Sequence, residues 1–227
     1  MDATGEAETG PVRLQFDRSI KLEFRGSSIS SDGGLPLHRE LDDALGLTDM
    51  AALLFADPRT GRNGRHRLIS FLRQSIFSRL AGYEDVNDAD RLSRDHVMRQ
   101  LIGGRAGKNS AASASAMARF ETKMLTQADN LDALADLPSR WIDAVHDKRP
   151  PKVITLDMDS SESPVHGDQE GSAWNGHFRS KCLHPLFVFN QFGDLERCSL
   201  RPGNVHSADG WEDVLRPVLA RYSASAR

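Results

Sequence analysis

This sequence has little cysteine, no long apolar run and no recognisable export signal. Its two cysteines, Cys182 and Cys198, form no CxxC pair, so we predict free thiols in a reducing compartment. No window approaches the ~18 apolar residues that a membrane span needs. The first ten residues are acidic and have no apolar core. We therefore expect neither a membrane segment nor a signal peptide, and we predict a cytoplasmic protein.

The composition is that of a globular chain with an uneven distribution of charge. Hydrophobic residues make up 39% and charged residues 27% of the 227 positions, which excludes a disordered tail, a collagen-like chain and a coiled-coil rod. Residues 59–119 hold 12 basic and 5 acidic side chains, whereas residues 1–58 hold 5 basic and 11 acidic ones. A basic block of this kind is typical of a surface for a polyanion. A solvated, arginine-rich helical face is the open alternative.

Apolar periodicity and turn residues divide the chain into three regions. Residues 1–34 contain two short strands, with apolar side chains at even positions and a turn near residues 17–19, followed by a loop. Residues 35–148 are helical and basic, and the Pro-rich stop at 149–152 opens the third region, 149–227. The predicted helices of the second region are 35–47, 48–55, 65–82, 88–104, 112–126 and 128–146, with a flexible link at 104–110.

The third region changes from helices to strands. A long connection, 160–183, separates its first strand from the second, and Pro217 predicts a kink in its helix. The predicted elements are strands at 152–159, 184–190 and 194–201 and a helix at 210–223. The predicted fold class is therefore α+β.

Two carboxylates in the first of these strands are the strongest candidates for chemistry. Asp157 and Asp159 are two residues apart on a strand, so both project from one face, while the apolar side chains between them project from the other. Neighbouring carboxylates are costly unless something neutralises them, and Mg²⁺ prefers such oxygen ligands. In the alternative interpretation, one aspartate caps the following loop and the other meets solvent.

Several blocks of the sequence resemble a known family. The segment LDMDSSESPVHG at 156–167 resembles the first catalytic strand of the DDE transposases of bacterial insertion sequences, closest to the insertion-sequence thirteen-eighty family. Further blocks are similar to the same family in the same order. These are SDGGLPLHRELDDALGL (31–47), GYEDVNDADRLSRDHVMRQLIGG (82–104), the stretch ending in Arg119, Phe120 and Glu121, HPLFVF (184–189) and LRPGNVHSADGW (200–211).

The resemblance implies an RNase H-like mixed sheet and a metal-dependent reaction on DNA. Two Mg²⁺ ions would serve phosphodiester cleavage and strand transfer in the complete enzyme, and Asp159 matches the first catalytic acid because it directly precedes the hydroxyl pair Ser160–Ser161. Asp157 is the second candidate ligand. The implied partner is double-stranded DNA, both terminal inverted repeats and target DNA. An RNase H-like sheet without its fourth and fifth strands would expose an edge and an apolar face, so we also expect self-association. The implied location is the bacterial cytosol or nucleoid.

The family pattern also has a second aspartate and a glutamate, for which this sequence offers no candidates at matching positions. We therefore expect the N-terminal part of a transposase, with an incomplete RNase H-like region, weak metal binding and no transposition by this chain alone. A non-catalytic DNA-binding remnant or regulator of transposition is the alternative. An unrelated metal-dependent nuclease using Asp157, Asp159 and Glu162 is a third interpretation.

Basic residues provide the predicted DNA contacts. Arginines near the start of the helix at 65–82 add side-chain charge to the helix dipole, which suits phosphate. The four histidines of the third region, in contrast, have spacings that fit no zinc pattern, and we interpret them as structural or loop residues. The helix at 112–126 is either a recognition helix or a packing helix. The candidate DNA-binding residues are Arg62, Arg65, Arg67, Arg73, Arg105, Lys108 and Arg201.

Overall fold

The fold is described from a computed structural model, which covers residues 12–22, 32–59 and 64–225. Helices and antiparallel sheets alternate along the chain by region, so the predicted α+β class is confirmed. The chain divides into two compact units, Met1–Asn130 and Leu131–Arg227. None of the helices in the described ranges combines the length and apolar character needed to cross a lipid bilayer.

The first unit is helical apart from a short antiparallel hairpin. The hairpin pairs Val12–Arg13 (β1) with Lys21–Leu22 (β2), and Asp17 closes its turn by accepting hydrogen bonds from the backbone and hydroxyl of Ser19. The helices are Leu35–Leu45 (α1), Leu47–Leu54 (α2), Leu68–Leu80 (α3), Ala89–Leu92 (α4), His96–Ile102 (α5), Arg105–Lys108 (α6) and Ala114–Arg119 (α7).

Helix α3 is the central element of the first unit. Phe77 on this helix packs with Leu92, Leu101 and neighbouring side chains in the main apolar cluster. Towards the end of this helix, Phe77 is buried while Leu80 is exposed. Gln74 is also buried, and its side-chain amide both donates to and accepts from the backbone of Ala112 at 2.8 Å. This pair of hydrogen bonds fixes an extended segment against the helix.

The predicted helix at 88–104 is wrong as a single element. A 3₁₀ turn at Val86–Asp88 leads into α4, and the chain then breaks before α5 begins. Asp95 causes the restart, since its carboxylate accepts a hydrogen bond from the backbone N–H of Met98 at 2.7 Å and so caps α5. The predicted flexible link at 104–110 is corrected as well, because it contains the short helix α6.

Helix α7 continues as a π-helix over Phe120–Met124, in which the backbone N–H of Leu125 donates to the carbonyl of Phe120. Wide turns of this kind are rare and often occur at functional sites. The predicted helix at 112–126 therefore exists in two parts. The next helix, Ala128–His146 (α8), has its predicted bounds.

The second unit contains two three-stranded antiparallel sheets and a C-terminal helix. The first sheet has the order β3-β7-β8 and the second has the order β4-β6-β5. The strands are Leu156–Ser160 (β3), Ser163–Pro164 (β4), Ala173–Asn175 (β5), Ser180–Leu183 (β6), Leu186–Asn190 (β7) and Leu195–Ser199 (β8), and the helix is Trp211–Ser225 (α9). The predicted kink site, Pro217, lies inside α9.

Two features of this unit differ from the sequence-based prediction. Every strand pair in the described ranges is antiparallel, so the mixed sheet is not present there. The long connection at 160–183 is also wrong, since it holds three of the strands. Strands of two to four residues carry too little periodicity to be recognised in a sequence, which explains the second error.

The sheet β3-β7-β8 buries one face against α9. Val188 of β7 is fully buried and packs with Val214 of the helix, and Leu156 and Met158 of β3 join the same cluster. Behind this cluster, the buried carboxylate of Glu196 accepts hydrogen bonds from Arg221 and Tyr222 of α9. The helix is thus held on the sheet by apolar contact and by a buried polar network.

Candidate functional site

The two predicted carboxylates lie on the face of the sheet opposite the apolar cluster. Side chains alternate along β3, so Asp157 and Asp159 are exposed while Leu156 and Met158 face the core. Their cross-strand neighbours on β7 are Phe189 for Asp157 and Phe187 for Asp159. The Cα atoms of the two aspartates are roughly 6.5–7 Å apart along the strand.

No residue in the described ranges neutralises either carboxylate. Asp159 accepts one hydrogen bond at 2.8 Å, from the backbone N–H of Ser160. No described residue forms an ion pair with Asp157 or Asp159. Two unpaired carboxylates on one face suit a hard divalent cation, but the described ranges contain no group of three side chains able to hold a metal ion. The donor chemistry fits Mg²⁺, whereas the number of ligands does not fit two ions.

Glu162 turns away from these carboxylates. It follows β3, and its carboxylate accepts a hydrogen bond from the hydroxyl of Ser180 on β6 of the second sheet. Glu162, the third acid of the nuclease interpretation, is therefore hydrogen-bonded to a different sheet from the one that carries Asp157 and Asp159.

The first unit contains an open pocket of about 740 Å³ with many cations in its wall. Asp57 pairs with Arg59, but the other basic side chains have no carboxylate partner within the described ranges. Asp90 is the single acid of the lining that the structure describes, and it accepts a hydrogen bond from the backbone of Ala114. The unpaired cations of the wall are Arg65, Arg94, Arg119 and Lys123.

His66 lies in the wall of this pocket, close to several positively charged side chains. Its ring is buried against the edge of Phe71 in the pocket wall. Burial lowers the pKa of His66, and the charges of Arg65, Arg105 and Arg59 lower it further. Arg65 and Arg105 therefore add positive charge beside this ring, whereas the charge of Arg59 is paired with that of Asp57.

The structure separates the predicted DNA-binding residues into three groups. Arg65 lines the cationic pocket, Arg67 is exposed two residues later, and Arg105 and Lys108 are exposed on α6. Arg62 lies outside the described residues. The remaining two, Arg73 and Arg201, are engaged within the protein.

Arg73 and Arg201 have internal partners. Arg73 donates to Thr48 at 3.0 Å and lies 3.6 Å from the carboxylate of Asp42. Arg201 is buried and donates to backbone carbonyls, among them those of His184 at 3.0 Å and Asp209 at 2.5 Å. Each of these guanidinium groups organises the local fold.

One comparison with known proteins identifies the chain. A family model described as transposase DDE domain, group 1, matches residues 12–227. The chain belongs to this transposase family. No curated protein and no solved structure matched it. For a transposase DDE domain the substrate is DNA, and such domains generally use divalent metal ions.

Sequence reasoning missed several residues of this transposase domain. Lys123 lies four residues after Arg119, so both reach the cationic pocket from one side of the π-helical region. Their spacing of four residues in the sequence could have indicated that the two cations lie on one face. Arg94 reaches the pocket from the break between α4 and α5, which no local pattern indicates. Three of the four histidines interpreted as structural or loop residues line a second pocket, together with Ser160 and Trp174.

Proposed function

We propose that this chain is an insertion-sequence transposase of the thirteen-eighty family, which binds transposon terminal inverted repeats through its helical unit and provides a catalytic acid from β3. The observation that carries the proposal is the pair Asp157 and Asp159, which are exposed, lie on one face of a strand within a matched DDE domain and have no ion-pair partner among the described residues. This chemistry cuts and joins DNA by metal-dependent phosphodiester transfer.

The topology of the second unit supports an RNase H-like interpretation of its sheet. Three antiparallel strands followed by a helix, β3-β7-β8 and α9, match the first part of the order that the resemblance implies. Strand β3 is an edge strand in the described residues. A fourth strand pairing in parallel with β3 would turn this sheet into the expected mixed sheet, with the two aspartates near its centre.

The free edge of β3 also underlies the proposal of self-association. An unpaired edge strand presents backbone N–H and C=O groups to another chain. Half-buried Phe187 and Phe189, whose rings stack at 5.9 Å, add apolar surface beside it. Light scattering over a range of concentrations measures this association directly, and a strict monomer at all concentrations would contradict it.

Asp159 is proposed as the metal-holding acid and Asp157 as its helper. When bound, Mg²⁺ would supply charge stabilisation at the scissile phosphate. Two carboxylates give weak binding, so we expect Mn²⁺, used as a spectroscopic probe for Mg²⁺, to bind in the millimolar range. Asp159→Asn weakens this binding, whereas Asp168→Asn does not, since Asp168 is an exposed acid already paired with Lys181 at 2.6 Å. Equal Mn²⁺ affinity in both variants would remove Asp159 from the site.

DNA binding is assigned to the cationic pocket and the exposed cations near it: Arg65, Arg67, Arg94, Arg105, Lys108, Arg119 and Lys123. Removing one cation that neutralises a phosphate reduces the salt dependence of binding by a slope of about 0.9. We therefore expect the double variant Arg65→Ala/Arg119→Ala to reduce that slope by about 1.8, measured by the anisotropy of a labelled duplex between about 50 and 200 mM salt. The matched control is Arg216→Ala, an exposed arginine paired with Glu212 in the second unit.

A non-catalytic DNA-binding remnant or regulator is the second candidate function. It is favoured by the absence, within the described ranges, of any group of three potential metal ligands. A strand-transfer assay with the purified chain tests this second candidate. We expect no strand transfer by this chain alone, and robust activity would contradict both the weak metal site and the regulator hypothesis.

A further inference from the structure

Strand β3 combines a free edge with the two exposed acids. It is the outer strand of the order β3-β7-β8, and no described strand pairs with its other side. Edge strands are commonly blocked by lysine, proline or a bulge, and the strand Leu156–Ser160 contains none of these. Its charged groups are the carboxylates of Asp157 and Asp159. Like charges directly opposite each other destabilise a sheet, so these acids block the edge only while their charge is not neutralised.

The backbone groups of β3 alternate between its two edges. The N–H of Ser161 donates to the carbonyl oxygen of Pro185, which directly precedes β7, at 3.1 Å. Backbone groups turn to opposite sides at successive residues of a strand, so the odd-numbered residues face β7. The N–H and C=O groups of Leu156, Met158 and Ser160 therefore point to the free edge. The N–H of Ser160 donates to the carboxylate of Asp159, and this contact must open when the edge pairs.

One register pairs the whole strand with a second copy of itself. In an antiparallel two-fold arrangement centred on Met158, this residue faces its own copy and Leu156 faces Ser160. A shift by one residue would place the acids on the face of the other copy's apolar side chains, and larger shifts leave part of the strand unpaired. In the centred register Asp157 of one copy lies directly opposite Asp159 of the other.

This register resolves the mismatch between the acids and the metal ions. Along one strand the Cα atoms of Asp157 and Asp159 are roughly 6.5–7 Å apart, and two carboxylates are too few for two ions. Across an antiparallel pair without mutual hydrogen bonds, the Cα atoms approach to about 4.5 Å. Two copies place four carboxylates on one face, so that each cation takes one from either copy and keeps several waters. On the opposite face, half-buried Met158 meets its own copy, which covers apolar surface.

We propose that divalent cations join two copies of this chain through β3, each ion held by Asp157 of one copy and Asp159 of the other. The inference rests on the proposed function, because it takes the cation of that site as its ligand. It makes the dimer metal-dependent: without the cation, four carboxylates on one face repel one another and keep the edges apart.

Sedimentation velocity of the full chain, in Mg²⁺ and in EDTA at matched ionic strength, tests the metal dependence. Two ions that bind the dimer alone, each present at about ten times its dissociation constant, tighten the dimer by about 120-fold. We therefore expect dimers in Mg²⁺ and monomers in EDTA at the same protein concentration. The matched control is Asp168→Asn, which removes an exposed acid paired with Lys181 and should dimerise like the unaltered chain.

Mixing two single variants distinguishes a site shared between copies from a site within one chain. Asp157→Asn and Asp159→Asn each leave a single carboxylate in both cross-strand pairs of their homodimers, so neither variant alone should respond to Mg²⁺. A one-to-one mixture contains heterodimers in which one cross-strand pair keeps both carboxylates. With one intact site in place of two, Mg²⁺ should tighten the heterodimer by about 11-fold.

The outcomes separate this inference from the proposed function. Dimers that form equally in EDTA, or a mixture that responds to Mg²⁺ no more than its components, would overturn the shared site and leave the proposed function intact. Mn²⁺ binding by a chain that stays monomeric would do the same. A chain that neither binds Mn²⁺ nor associates would overturn the proposed metal site and the shared site with it.

Discussion

Replacing Glu196 by glutamine tests the buried network that holds α9 behind the strand of the paired aspartates. Glu196 is fully buried, and its carboxylate accepts hydrogen bonds from Asn190 at 3.0 Å, Tyr222 at 2.6 Å and Arg221 at 2.5 Å. Burial and the adjacent Glu196 raise the pKa of Tyr222, so its hydroxyl stays protonated and remains a donor. Glutamine keeps the shape but removes the charge and about two of the four lone-pair sites.

The expected cost follows from the partners that remain. Removing one side of a buried ion pair costs about 3–5 kcal/mol. Asp143, 3.5 Å from Arg221, keeps part of the compensation, so we expect the lower value, about 3 kcal/mol. This corresponds to a roughly 150-fold shift in the unfolding equilibrium and a fall in Tm of about 12–24 °C for a unit of this size.

Tryptophan emission during urea unfolding isolates the effect. All three tryptophans, Trp141, Trp174 and Trp211, lie in the second unit, so their emission reports that unit alone. The matched control is Glu212→Gln, which removes the same charge from an exposed pair with Arg216 and should cost about 0–1 kcal/mol. If Glu196→Gln were no more destabilising than Glu212→Gln, the network would not be what secures the helix.

Two further predictions concern the loop at Gly203 and the first unit. Gly203→Ala should lower the urea midpoint of the tryptophan transition, because the added Cβ collides with a backbone carbonyl, whereas Gly176→Ala, with nothing within 4 Å, should not. The pKa of His66 is lowered in the folded chain, so the unfolded chain binds the proton first as pH falls below the ordinary value of 6.5. The contribution of His66 to the stability of the first unit is therefore fully present above that pH and declines below it. In His66→Phe, urea unfolding followed by helix CD should show a smaller loss of stability as pH falls. A pH dependence identical to that of the unaltered chain would contradict this role of His66.

Local periodicity accounts for the part of the fold that the sequence predicted. The hairpin turn at Asp17, the helix α8 and the strands β3, β7 and β8 depend on alternation or on short-range hydrogen bonds, and these are visible in neighbouring residues. The same alternation predicts that Asp157 and Asp159 share one face of their strand, as they do. Their exposure could not be predicted in this way, because it depends on which face α9 covers.

The sequence by itself determined the fold class, the strand that bears the paired acids and the basic character of the helical unit, since composition and spacing are properties of nearby residues. Tertiary structure alone decided which cations are unpaired. Arg73 and Arg65 are indistinguishable in the sequence, yet one is held among acids from α1 and α2 and the other lines a pocket. The tertiary structure also places Trp174 of β5 and His184, which directly follows β6, in the wall of one pocket. Contacts between distant positions depend on how the chain closes on itself, which no local pattern records.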